Sequence, residues 1–125
     1  RDCLLSRGLG DVYKRQDFTS YLDPALILAY HTQGEQIYWK YDDIDVPGAL
    51  ALGQEFARLS GYSLEETPYA SGFAGYKDWF IKVWRRPGFT IEAGLGENPL
   101  PISQFDTIYA KNLGILTTAA LGLPA

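Results

Sequence analysis

The chain has one cysteine, Cys3, one histidine, His31, and no apolar run of the ~18 residues that a bilayer span requires. A lone cysteine permits neither an internal disulfide nor a cysteine-rich zinc site, and it leaves the redox compartment open. Basic residues number eleven against fifteen acidic ones. They are scattered apart from Arg85-Arg86, so the electrostatic footprint of a nucleic-acid binder is missing and no such partner is expected. No membrane span is expected either. What remains is an ordinary globular composition, 46% hydrophobic and 21% charged over 125 residues, enough for one domain with a real core.

Residues 1–16 differ from the rest. Four of the eleven basic residues and the only cysteine lie there, without a sustained period. The tail Asp11-Val-Tyr-Lys-Arg-Gln16 resembles a spurious peptide found at the ends of translated environmental assemblies. The expectation is therefore a non-native segment over 1–16 and the folded part over 17–125, with localisation unreadable.

Leu26-Ile-Leu-Ala29 is a short continuous apolar run, too brief for a helix and suited to a strand buried on both faces of a parallel sheet. His31 then stands at the strand's carboxyl end, the edge where ligands collect in open α/β sheets. A structural histidine hydrogen-bonded under a loop is the plainer alternative. After Gly34 the segment Gln36–Tyr41 reads as extended, and an acidic loop runs to Pro47. Ala49, Leu50, Leu52, Phe56 and Leu59 predict a helix over about 48–60, and Tyr62–Gly72 reads as a polar loop.

Tyr76, Trp79, Phe80, Val83 and Trp84 fall at helical spacing, which predicts an amphipathic helix with these five facing the core, closed by Arg85-Arg86-Pro87. Gly88–Gly94 reads as a second strand, with Phe89 and Ile91 on one face and Thr90 and Glu92 on the other. Glu92, like His31, finishes its strand, and a carboxylate there is poorly explained by packing, although an ordinary salt bridge would account for it. Ser103-Gln-Phe-Asp106 has capping-box form, and Phe105, Ile108, Tyr109, Leu113, Leu116 and Ala120 continue a last helix. Strand, helix, helix, strand, helix suits part of an α/β sheet.

An imidazole and a carboxylate at two strand ends suggest zinc hydrolysis, in which three protein ligands hold the ion and a glutamate takes a proton from the attacking water. This chain has one histidine and neither a His-x-x-Glu nor a His-Glu-x-x-His motif. Such a site would be incomplete here.

The segments Ala29–Trp39, Gly75–Phe80 and Pro87–Pro101 resemble the zinc carboxypeptidase superfamily, most of all its bacterial γ-D-glutamyl-meso-diaminopimelate peptidases, over roughly residues 20–121. The resemblance implies the C-terminal half of a mixed α/β sheet with flanking helices. It implies that His31 is the late zinc ligand, that Glu92 of Phe89-Thr-Ile-Glu92 is the general base, and that Tyr69 is the mobile substrate-binding tyrosine. The other zinc ligands and the substrate-binding arginines would lie upstream, missing from this chain.

The implied enzyme is a zinc metallopeptidase acting on a cell-wall muropeptide, with Glu92 moving a proton from water to the leaving amine and this fragment inactive alone. With Trp79 in the core, Lys77 and Asp78 point elsewhere. They either border the pocket and complement the amine and carboxylate of diaminopimelate, or form a solvated first helical turn. A noncatalytic α/β peptide- or glycan-binding module, with Tyr and Trp residues stacking on ligand, is the alternative function.

Overall fold

The computed structural model describes residues 13–68 and 75–122. Residues 13–22 are helical (α1), and then come β1 (Ile27–His31), β2 (Gln36–Tyr38), α2 (Ala49–Ser60) and β3 (Ser63–Glu65). The helix α3 (Tyr76–Trp84), the strand β4 (Gly88–Glu92), a short 3-10 turn (Ile102–Gln104) and α4 (Phe105–Leu121) complete the order. The four strands form one mixed sheet in the order β1-β4-β2-β3, with β1 parallel to β4, β2 antiparallel to β4 and β3 parallel to β2. Among the described residues no helix is long and apolar enough to cross a membrane.

Period-two alternation in β4 divides the molecule into layers. Phe89 and Ile91 are fully buried on one face, in a cluster with Ile37, Phe56, Tyr62, Ala93 and Ile115 that α2 and α4 cover. Phe56 meets Phe89 edge to face, ring centroids 5.0 Å apart, a favoured aromatic geometry. The opposite face is covered by α3, whose Phe80 and Ile81 close over Gly88.

The mixed sheet with flanking helices is as expected, but several local expectations need correction. Strand β1 is not buried on both faces throughout: burial fades along its length, from Ile27 at 8% exposed to an exposed Tyr30 and His31. The stretch read as a polar loop from Tyr62 contains β3, a strand of only three residues with one apolar side chain. No side-chain cap forms at α4, because Gln104 instead exchanges two hydrogen bonds with the backbone of Leu95.

The length of α3 matches expectation, and its phase does not. Val83 is 59% exposed and Trp79 half-buried, while Lys77 and Asp78 are buried beside Phe80 and Ile81. In α4 the stripe Phe105, Tyr109, Leu113 and Leu116 is exposed, and the inward face carries Ile108, Asn112, Ile115 and Ala119. Hydrophobic periodicity alone could not show that a polar amide occupies that face.

Candidate active site

His31 and Glu92 are register partners, the last residues of two adjacent parallel strands. Equal parity puts both side chains on the α3 face of the sheet, on strands about 4.8 Å apart. The backbone holds this juxtaposition beyond the ladder itself. The Ala93 N–H donates to the His31 carbonyl (2.8 Å), and the Gly34 N–H donates to the Gly94 carbonyl (2.8 Å), so the turns that follow the two strands are tied together.

Gly94 takes φ +78°, and a Cβ there would lie 2.5 Å from Leu100 Cδ1 and 2.9 Å from Ile108 Cδ1. Glycine is required on both counts. Asn98 completes the fastening: its Oδ1 accepts from Thr32 Oγ1 (2.7 Å) and its Nδ2 donates to the Thr32 carbonyl (3.1 Å).

The two groups open into a cleft of about 680 Å³. Ala29, Tyr38 and Thr90 floor it, Tyr76, Lys77, Asp78, Trp79 and Lys82 come from α3, and Arg15 and Gln16 reach it from α1. Neither the His31 imidazole nor the Glu92 carboxylate has a hydrogen-bond or ion-pair partner among the described residues. The exposed imidazole and the half-buried carboxylate are both open to the cleft, and among the described residues no salt bridge engages Glu92.

Lys77 and Asp78 do reach the cleft wall, but as a buried unit. Lys77 Nζ lies 2.5 Å from Asp78 Oδ1, 2.6 Å from the Lys40 carbonyl and 2.7 Å from Thr67 Oγ1. Two ammonium donors go to the Lys40 carbonyl and the Thr67 hydroxyl, while Asp78 Oδ1 meets the cation as an ion pair without a hydrogen bond of its own. Burial pulls the Lys77 ammonium below its ordinary 10.5, with Asp78 pulling the other way. Lys77 and Asp78 are therefore not solvated, and a direct bond from Lys77 to a substrate carboxylate would compete with two internal hydrogen bonds and an ion pair. Tyr69 lies outside the described residues.

Several lining residues were missed in the sequence. Thr90 shares the parity of Glu92 and could have been found from it. Tyr38 faces the cleft because it pairs with Thr90 across an antiparallel ladder that only the fold reveals. Lys82 follows from the corrected phase of α3.

As a zinc site the donor set fits in kind and falls short in number: among the described residues no group of three His, Cys, Asp or Glu side chains could hold a metal ion. His31 can supply one imidazole ligand and Glu92 a carboxylate beside it, whereas catalytic zinc takes three protein ligands.

No family model matches the chain. It is 54% identical over 99 residues to gamma-D-glutamyl-L-diamino acid endopeptidase 1 of Lysinibacillus sphaericus, covering 79% of this chain and 24% of that protein. It is 43% identical over 96 residues to the uncharacterized protein YqgT of Bacillus subtilis (strain 168), covering 77% of this chain and 26% of that protein. The chain thus spans about a quarter of the length of these curated relatives. Among solved structures, carboxypeptidase A from Helicoverpa armigera matches its fold with a TM-score of 0.51 at 16% identity, over 78% of this chain and 30% of that one. The chain thus has a fold similar to that of carboxypeptidase A and is similar in sequence to about a quarter of a gamma-D-glutamyl-L-diamino acid endopeptidase and of YqgT.

Proposed function

We propose that residues 17–125 are part of the catalytic domain of a zinc-dependent peptidase that cleaves the γ-D-glutamyl-diaminopimelate bond of cell-wall peptides. The remaining zinc ligands would come from outside the described residues. The observation that carries this reading is the in-register pairing of an unpartnered His31 and Glu92 over a cleft, in a chain 54% identical to a gamma-D-glutamyl-L-diamino acid endopeptidase.

Zinc, when bound, would supply Lewis-acid polarisation of the scissile carbonyl. His31 would hold the ion through a ring nitrogen. Glu92, on the neighbouring strand, accepts a proton from the attacking water and returns it to the leaving amine, a transfer that needs its carboxylate within hydrogen-bond reach of both. The buried Lys77–Asp78 pair forms the wall beside them, and Tyr69 is the candidate for a further substrate contact. The test is Glu92→Gln in a chain restored to the length of its relatives. Zinc content should stay and turnover of a γ-D-glutamyl-diaminopimelate peptide should fall by ~10²–10⁴-fold; near-normal kcat would overturn the assignment.

The aromatic lining of the cleft, Tyr38, Tyr41, Tyr76 and Trp79, favours a second reading, a noncatalytic module that stacks on a peptide or glycan. Turnover that depends on zinc in the restored chain separates the two.

A further inference from the structure

Two consecutive residues of α4 hold both flanks of the turn that presents His31. Asn112, 3% exposed, accepts from Tyr30 OH through Oδ1 (3.1 Å) and donates through Nδ2 to Tyr62 OH (2.9 Å) and the Ile108 carbonyl (2.8 Å). Tyr30 is the residue immediately before His31, on the opposite face of β1. Lys111 Nζ meets Glu35 Oε1 at 2.6 Å, four residues after His31, and lies 5.9 Å from the Tyr62 ring centroid.

A buried amide inside an otherwise apolar helix-sheet interface costs desolvation that a leucine would not incur. Here both Nδ2 donors and the Oδ1 acceptor are engaged, and a fully satisfied buried network fixes one geometry where apolar packing tolerates several.

We propose that Asn112 and Lys111 are positioning residues: with Tyr30 and Glu35 they clamp the 30–35 segment at both ends and so set the direction in which the imidazole of His31 points. The functional consequence rests on reading His31 as a zinc ligand; the clamp does not. Ligand orientation by an outer layer of hydrogen bonds is a general requirement of metal sites, and these side chains act on the flanks of a turn whose middle is held by the Gly34–Gly94 and Thr32–Asn98 hydrogen bonds.

The test uses amide hydrogen exchange on the 125-residue chain without metal, comparing Gly34 and Ala93, whose N–H groups hold the two strand ends, with Ile91 in the core. Lys111→Gln and Asn112→Leu should each speed exchange at Gly34 and Ala93 by roughly fivefold to tenfold more than at Ile91. Lys111→Arg, which keeps the ion pair, should restore it. The single imidazole signal of His31 should shift in the first two variants and return in the third. A merely structural role would raise exchange at all three amides together, and that outcome would overturn the proposal. If Asn112→Leu does not fold, Lys111→Gln against Lys111→Arg decides alone. Because the readout needs no metal, the clamp can fail while the zinc reading survives, and the reverse.

Discussion

Lys77 Nζ and Asp78 Oδ1 form an ion pair whose side chains are only 3% and 7% exposed, at the point where α3 begins and the cleft ends. Two adjacent charges have been taken out of water together, and the cation is shared with Lys40 O and Thr67 Oγ1, which lie just past the ends of β2 and β3. The pair therefore staples the entrance of α3 to the strand edge.

Removing one partner should be far worse than removing both. Lys77→Met leaves Asp78 charged and buried and should cost ~3–5 kcal/mol, whereas Lys77→Met with Asp78→Leu should cost much less. Urea unfolding of the two variants measures the difference. A loss below ~1 kcal/mol in the single variant, the size expected of an exposed pair, would show that the pair is not structural.

Alkaline stability should report on Tyr30. Although Tyr30 is 40% exposed as a residue, partial burial of its phenol, and secondarily Tyr62, pushes the hydroxyl from 10 up to about 12. Between those values the unfolded chain has lost the proton that the folded chain keeps, so the stabilisation is full below pH 10 and is lost as the pH climbs toward 12. Tyr30→Phe should flatten this part of the stability profile. Denaturant midpoints measured across the range check it, and an unchanged slope in the variant would contradict the assignment.

Gly94→Ala should destabilise by ~2–4 kcal/mol, combining a positive φ that disfavours a side chain with overpacking against Leu100 and Ile108. Thermal unfolding is the measurement. The damage should reach the turn after Glu92 first, so the Gly34–Gly94 hydrogen bond should weaken ahead of the core.

The 125-residue chain alone should bind Zn²⁺ more weakly than the order of micromolar and turn over no peptide, because one imidazole and a neighbouring carboxylate fall short of three ligands. Calorimetric titration with His31→Ala as control checks this. Tight stoichiometric binding that the substitution abolishes would show that a competent site is already present.

How much of this was legible in the sequence depends on the range of the interaction. The alternation Phe89-Thr-Ile-Glu92 revealed both the buried face and the side that carries the carboxylate, because it is a property of one strand. The limits of α2 were readable from Pro47-Gly48 and Gly61 for the same reason. The phase of α3 was not. Trp79 outranks Lys77 on any hydropathy scale, and only acceptors 37 and 10 residues away in the chain make the lysine the buried one. Asn112 was hidden similarly, since its partners Tyr30 and Tyr62 lie 82 and 50 residues distant. His31 and Glu92 were both found as strand-end residues, but their being neighbours required β4 to pair with β1 rather than with β3.

That pairing has a further effect on how the protein can change. Sixty residues separate His31 from Glu92, but their number does not fix the distance between the two; the ladder from Ile27–Gly88 to His31–Glu92 does. The exposed Asp42–Asp45 loop can therefore lengthen or shorten without disturbing the pair, while one residue gained or lost within β4 would turn Glu92 to the opposite face of the sheet. Loop length is free to drift here and strand register is not, so no fixed interval between the two residues should be expected among proteins that share this arrangement.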